Sequence, residues 1–135
     1  MTTILVAVND IFFYTKLRDA LKPQGYQLER ARSQQDVPDK AATVLPAAVV
    51  LDMNDPGLDG LKALEAIRAD ARFKDLPVLA FANHEEVGTW QQAKQLGVTK
   101  IVSRNEFSSR TRDLVTEVIS AIRPDGIQPE APTIP

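Results

Sequence analysis

Residues 47–60 read AAVVLDMNDPGLDG, and this stretch decides the fold. It begins with a short, valine-rich apolar run, which is typical of a strand buried on both faces of a parallel sheet. The run ends on Asp52, and then Pro56, Gly57 and Gly60 force the chain to turn. Because ligands of an open α/β sheet bind at the carboxyl ends of the strands, we predict that Asp52 lies at the mouth of a cleft.

Strand and helix patterns alternate along the rest of the chain. Apolar runs predict strands, and apolar stripes of helical spacing predict helices. The predicted strands are residues 3–8, 26–31, 47–52, 77–82 and 98–103. The predicted helices are residues 11–22, 36–45, 61–71, 85–96 and 108–122, with Asp36 and Ser108 as the N-caps of the second and the last. This alternation predicts an α/β fold with a parallel sheet and right-handed crossovers.

Composition excludes several classes of function. The 135 residues suffice for one domain with a sizeable core, and a net charge of −2 without a basic face argues against nucleic-acid binding by this domain. No apolar run reaches the roughly 18 residues of a membrane span, and the N-terminus has no signal-peptide pattern. The chain has no cysteine and one histidine, which excludes disulfides and a histidine zinc cluster. We expect a cytoplasmic protein.

The predicted domain organisation is one folded domain over residues 1–123 and a tail over residues 124–135. The tail holds four prolines in twelve residues and shows no periodicity. Such a composition predicts a disordered end or a linker, because it offers no apolar face that could pack against the domain.

The string DMNDPGLDG, which runs from Asp52 to Gly60, resembles the phosphoacceptor strand and loop of response-regulator receiver domains. The likeness extends over about residues 3–123. It implies a flavodoxin-like, doubly wound (βα)5 fold whose five parallel strands lie in the order 2-1-3-4-5. It also implies a module of two-component phosphorelay signalling rather than an enzyme. In such a module, Asp52 accepts a phosphoryl group from a histidine kinase with the help of bound Mg²⁺.

The other site residues of the family are only partly matched. Such domains place an acidic pair after the first strand, a hydroxyl after the fourth, an aromatic on the fifth, and a lysine followed by a proline at its end. At these positions the chain has Val8 and Asn9 for the acidic pair, Ala82 for the hydroxyl, Ile101 for the aromatic, Arg104 for the lysine and Asn105 for the proline. The resemblance therefore implies a receiver scaffold that lacks several of the groups assisting phosphorylation.

The loss of the acidic pair affects metal binding first. The affinity of a site for a hard cation rises with the negative charge of its ligands. With the acidic pair replaced, we therefore expect the remaining candidate donors to bind Mg²⁺ only weakly. These donors are Asn9, Asp10, Asp52 and Asn54. Asp10 has a second interpretation, as the N-cap of the first helix, and the sequence leaves both open.

The remaining replacements predict a weakened switch. Ala82 cannot hydrogen-bond a phosphoryl oxygen, and Ile101 cannot perform the aromatic rotamer change. Arg104 keeps the positive charge of the phosphate-site cation, but its planar guanidinium is not equivalent to a lysine ammonium. We predict an Arg104–Asp52 ion pair that holds the site in one state, and a trans peptide bond before Asn105 because a non-proline cis bond costs about 2.5–4 kcal/mol.

Candidate partner residues are aromatic. Residues 11–14, IFFY, place four large apolar side chains on one helical turn, and a helix buries about one stripe. The spacing of Phe13 and Leu17 predicts that Phe13 enters the core, which leaves Phe12 or Tyr14 exposed.

Exposed aromatic residues are common on ordinary surfaces and are also enriched at binding hot spots. An ordinary surface residue and a partner site therefore both stay open as interpretations of Phe12 or Tyr14 and of Trp90. Helix 4, strand 5 and helix 5 form the family's usual output face, and therefore the candidate homodimer face.

Three functions compete. The first is a phosphorylation-impaired protein-interaction module whose partner is a histidine kinase, a phosphotransfer protein or an output protein. The second is a working receiver that is phosphorylated on Asp52. The third is a small flavodoxin-like enzyme or nucleotide binder, but phosphate-binding loops need glycine or hydroxyl residues, which residues 9–13, NDIFF, lack. We predict the first function and keep the second as the alternative.

Overall fold

The computed structural model describes residues 2–121 and contains one five-stranded parallel sheet in the order β2-β1-β3-β4-β5. The predicted sheet and its strand order are therefore confirmed. The predicted tail, residues 124–135, lies outside the described residues, so the proposed domain boundary remains a prediction. The strands are β1 Thr3–Ala7, β2 Gln27–Arg30, β3 Ala48–Asp52, β4 Val78–Ala82 and β5 Lys100–Ser103.

Helices follow the strands and cover both faces of the sheet. Within residues 2–121, the α-helices are α1 Ile11–Leu21, α2 Asp36–Val44, α3 Gly60–Ala69, α4 Val87–Gln95, α5 Arg104–Ser109 and α6 Thr111–Ala121. Of two short 3₁₀ turns, Lys22–Gln24 continues the end of α1, and Ala71–Phe73 follows α3 after the extended residue Asp70. In this part of the chain, no helix has the length and apolar character needed to cross a membrane.

The alternation of side chains along each strand divides the core into two clusters. One cluster packs the odd-numbered residues of β3, such as Val49 and Leu51, against helices α2, α3 and α4. The other packs the even-numbered residues Ala48 and Val50 against helices α1, α5 and α6. Every residue of β3 is buried, as its valine-rich run predicts. The result is a three-layer fold in which Asp52 ends the central strand.

The predicted start of the last helix, at Ser108, is wrong. Two helices, α5 and α6, occupy this region, and they meet at Arg110, whose φ of −130° interrupts the helical backbone. The N-cap of α5 is Ser103, whose hydroxyl accepts a hydrogen bond from the Glu106 amide at 3.0 Å. Ser108, the predicted cap, lies inside α5. The hydroxyl that ends β5 therefore starts a helix five residues before the predicted cap Ser108.

A smaller correction concerns the start of α2. Asp36 is the first helical residue rather than the N-cap, which is Gln35. The Ser33 hydroxyl accepts a hydrogen bond from the Asp36 amide at 3.2 Å, and the Asp36 carboxylate accepts one from the Arg32 amide at 3.1 Å. The acidic group still lies in the first turn, where the helix dipole favours it.

Candidate functional site

Asp52 lies at the carboxyl end of β3, at the bottom of a cleft of about 440 Å³. The residue is 2% exposed. Its Oδ1 accepts a hydrogen bond from the Asn54 amide at 2.9 Å and one from Arg104 Nη1 at 3.0 Å. The cleft is lined by Asn9, Asp10, Asp52, Asn54, Asp55, Pro56, Asn83 and Arg104. The ends of the three central strands and the start of α5 thus converge at one site.

Arg104 enters this cleft from the first turn of α5. Besides the 3.0 Å contact with Asp52, its Nη2 lies 3.7 Å from Asp10 Oδ2. Its guanidinium carbon lies 4.4 Å from the centre of the Phe13 ring and 5.2 Å from that of Phe81. The ion pair predicted between Arg104 and Asp52 is therefore present, and all peptide bonds in residues 2–121 are trans.

Burial raises the pKa of the Asp52 carboxyl above its ordinary value of 3.8. Removal from water disfavours the ionised form, and this is the largest influence on the group. The Asn54 amide and the Arg104 charge act in the opposite direction, and Asp55 adds a further rise through like-charge repulsion. The counter-charge of Arg104 therefore only partly offsets the cost of burying a carboxylate.

The polar residues after β1 are engaged in local structure. Asp10 Oδ1 accepts hydrogen bonds from the amides of Phe12 at 2.9 Å and Phe13 at 3.3 Å, so Asp10 is the N-cap of α1. Of the two interpretations open for Asp10, the structure shows the cap. The side-chain amide of Asn9 donates to the carbonyl oxygen of Arg32 at 3.1 Å, which ties it to the loop after β2.

The loop after β3 is closed by its own side chains. Asn54 Oδ1 accepts a hydrogen bond from the Asn83 amide at 2.6 Å, which links the ends of β3 and β4. Asp55 accepts one hydrogen bond from the Gly57 amide at 2.7 Å and one from the Asn9 amide at 3.1 Å. Asp55 was not among the predicted site residues; the sequence signals its place in the loop, three residues after Asp52, but not its hydrogen-bond partners.

Hydrogen bonds and an ion pair engage several of the carboxylate oxygens that Mg²⁺ would need in this arrangement. The ion takes oxygen ligands in near-octahedral geometry, with one or two carboxylates among them. Asp52 Oδ1 faces a guanidinium, and Asp10 Oδ1 faces two helix amides. Both oxygens of Asp55 face backbone amides. Between residues 2 and 121, no three histidine, cysteine or acidic side chains are grouped so that they could share a metal ion.

The two predicted switch positions lie in the core. Ala82 ends β4 with no exposed surface, so its methyl group offers no hydrogen bond to the cleft. Ile101 is 9% exposed and packs in the cluster beneath helices α2, α3 and α4. Close packing restricts rotamer changes of Ile101, and alanine has no side-chain rotamer to change.

The candidate partner residues do not form one surface. Phe12 is 65% exposed, as is its neighbour Ile11, which the sequence analysis did not single out. Tyr14 is half-buried and packs with the core cluster on the α1 face of the sheet. Trp90 is half-buried against the opposite cluster, and its Nε1 donates to the Asn83 carbonyl oxygen at 3.0 Å.

Comparison with known proteins identifies the family. The profile described as "Response regulator receiver domain" matches residues 4–116. The chain is a response-regulator receiver domain. Such domains are signalling modules of two-component systems and interact with histidine kinases and output domains.

Two curated relatives illustrate the range of similarity. The response regulator MprA from Mycolicibacterium vanbaalenii is 36% identical over 84 residues, which are 62% of this receiver and 36% of the relative. The receiver therefore spans little more than a third of that protein. The polar-differentiation response regulator DivK from Brucella ovis is 27% identical over 105 residues, 77% of this receiver and 85% of the relative.

A solved structure of similar fold contains a metal. The receiver domain of a sensor histidine kinase from Pseudomonas aeruginosa has a magnesium ion coordinated in its active-site cleft. It is 19% identical, with a TM-score of 0.75, and the match covers 87% of this receiver and 97% of that chain. At this identity, the likeness shows the fold alone.

Proposed function

We propose that this receiver domain is impaired in Mg²⁺-dependent phosphorylation of Asp52 and acts in two-component signalling as a protein-interaction module. The observation that carries the proposal is the 3.0 Å contact between Arg104 Nη1 and Asp52 Oδ1. In this proposal, Asp52 is the vestigial phosphoacceptor and Arg104 is the cation of the phosphate site.

The chemistry of the site supports this proposal. A carboxylate that attacks phosphorus must have the negative charge of both partners neutralised, and a preorganised cation is the usual means. Here the guanidinium engages one oxygen of the nucleophile itself, while Ala82 offers no hydroxyl to the incoming group. The ion pair with Arg104 stabilises unmodified Asp52. The charge of Asp52 is then neutralised without a metal ion.

The proposed interaction module uses the start of α1. Ile11 and Phe12 expose large apolar side chains beside the cleft, and exposed aromatic groups are enriched at binding hot spots. We expect the partner to be a histidine kinase, a phosphotransfer protein or an output protein. Trp90 packs on the opposite side of the sheet from α1, and it belongs to a separate candidate surface, the proposed homodimer face of α4, β5 and α6, which runs around the β5 edge of the sheet.

A working receiver is the second candidate function. It is favoured by the position of Asp52 at the bottom of an open cleft, where a small phosphodonor could approach. Asp10 and Asp55 also line the cleft, and a rearrangement of their hydrogen bonds would free carboxylate oxygens that can bind a metal ion. In this alternative, a histidine kinase phosphorylates Asp52 with Mg²⁺, and Arg104 turns to the phosphoryl oxygens.

Treatment with acetyl phosphate and millimolar Mg²⁺, followed by intact-mass spectrometry, distinguishes the two functions. We expect no stoichiometric phosphoryl adduct on the full chain. We also expect no change in the fluorescence of Trp90, which reports on the cleft because it is hydrogen-bonded to the cleft residue Asn83. Asp52→Asn is the matched control, because it preserves the shape of the side chain and removes the nucleophile. A stoichiometric adduct that this variant lacks would establish the working receiver.

A further inference from the structure

Arg104 contacts aromatic rings as well as the carboxylate of Asp52. Its guanidinium lies over two aromatic rings, at 4.4 Å from the centre of Phe13 and 5.2 Å from that of Phe81. Both distances are within the range of cation–π attraction. The arginine side chain is 26% exposed, so the rings shield much of it from water.

We propose that Phe13 is a positioning residue, which together with Phe81 forms an aromatic seat that fixes Arg104 against Asp52 as the internal cation of the cleft. The aromatic seat is defined here as the rings of Phe13 and Phe81. This inference concerns how the cation is held. It does not depend on whether the receiver is phosphorylated.

The aromatic seat is built into the core rather than laid on the surface. Phe81, in β4, has no exposed area, and its ring stacks on Phe107 with 4.3 Å between centres. Phe13 lies 5.3 Å from Phe81 and completes the seat from α1. Phe107 is three residues after Arg104 in the same short helix, so its packing against Phe81 places Arg104 over the rings.

The location of Arg104 favours such a seat. A cation in the first turn of a helix is repelled by the positive end of the helix dipole. The counter-charges of Asp52 and Asp10 oppose this repulsion, but only Asp52 is within 3.5 Å. A flat guanidinium can stack on aromatic faces and still donate from its edge, whereas a lysine ammonium is a strongly hydrated point charge. The seat therefore favours arginine over lysine at this position.

Nuclear magnetic resonance of the Arg104 side chain tests the seat. In the full chain labelled with ¹⁵N, we expect an Arg104 Nε–Hε signal that is displaced upfield by the two rings and protected from exchange with water. Its absence from the spectrum of Arg104→Lys assigns it. An assigned signal at the position and exchange rate of a free arginine would overturn the proposal without any variant of Phe13.

Variants of Phe13 test its role directly. Phe13→Leu and Phe13→Met remove the ring and keep much of the volume, so we expect loss of the upfield displacement and faster exchange at Arg104. Phe13→Tyr keeps the ring and is expected to retain the wild-type signal. Unchanged Arg104 signals in folded Phe13→Leu or Phe13→Met would contradict the proposal, and amide dispersion verifies folding.

A matched control lies one residue further along α1. The Tyr14 ring supports a different guanidinium, that of Arg30, at 4.8 Å. We expect Tyr14→Leu to change the Arg30 signal and leave that of Arg104 in place. If Tyr14→Leu and Phe13→Leu move the Arg104 signal equally, the effect comes from general loosening of α1 and the aromatic seat is refuted.

Discussion

At the scale of single residues, Asp52 is the ionisable group of the site that is least exposed to water. It is almost fully buried, and it has one full counter-charge, from a guanidinium that is itself one quarter exposed. Desolvation outweighs that attraction, so the pKa of Asp52 is raised rather than lowered. Buried charges of this kind are retained at functional sites even though they reduce the stability of the fold.

The first prediction follows from the sign of this shift. Because the pKa of Asp52 is raised in the folded state, its stabilising contribution is present below the ordinary value of 3.8 and is lost as pH rises through the folded-state pKa. We therefore expect Asp52→Asn to increase the free energy of unfolding at pH 7 by on the order of 1 kcal/mol. The increase should shrink as the solution is acidified, when measured by urea denaturation.

The control for this prediction is Asp19→Asn, because Asp19 is 69% exposed on α1. It should change stability by less than about 0.5 kcal/mol at either pH. A loss of stability in Asp52→Asn at neutral pH would mean that the pair with Arg104 outweighs desolvation.

Residue-level features were predictable where they depend on the strand end alone. The position of Asp52 follows from its place at the carboxyl end of β3, whereas its contact with Arg104 was predicted from the resemblance to receiver domains. The role of Asp55 in closing the loop was not predictable, because its partners include the Asn9 amide, which is 46 residues away. Nor was the aromatic seat, because Phe13 and Phe81 meet only after α1 packs on the sheet.

At the scale of elements, the short helix α5 connects the site to the core. Ser103 caps its start, Arg104 follows in the cleft, and Phe107 anchors it on Phe81. The apolar stripe of the last helix begins at Leu114, so periodicity alone placed one helix start too late. A six-residue helix presents too few turns for a periodic pattern to be recognised, which is why the division was missed.

The two serines of α5 give a matched prediction. Ser103→Ala removes the hydroxyl that accepts the Glu106 amide, so we expect a loss of about 1 kcal/mol in the free energy of unfolding. Ser108→Ala removes no cap and should stay within about 0.5 kcal/mol of wild type. Urea denaturation of both variants at neutral pH is the measurement. Equal losses would contradict the assignment of Ser103 as the cap.

At the scale of the whole molecule, the sheet separates two sets of helices. Helices α1, α5 and α6 share one core cluster, and α2, α3 and α4 share the other. The alternation of strands and helices along the chain predicted this architecture. Continuously apolar strands are buried on both faces, so helices must cover both sides of the sheet. It did not predict that Phe12 and Trp90 belong to opposite sides, since that depends on which face each crossover helix covers.

The aromatic residues therefore suggest two separate surfaces for partners. The surface of Ile11 and Phe12 adjoins the cleft. On the other side of the sheet, Trp90 contacts the cleft through the Asn83 carbonyl oxygen. In the proposed module, both surfaces are presented by a receiver whose cleft is held in one state by Arg104.

A Mg²⁺ titration of the wild-type receiver tests whether Arg104 replaces a metal as the counter-charge of Asp52. The amide signals of Asn54 and Asp55 report on the cleft, because Asn54 N–H donates to Asp52 and Asp55 carries a cleft carboxylate. We predict no saturable shift of these signals at millimolar Mg²⁺, because Arg104 already neutralises Asp52. A saturable shift in that range, absent in Asp52→Asn, would contradict this prediction.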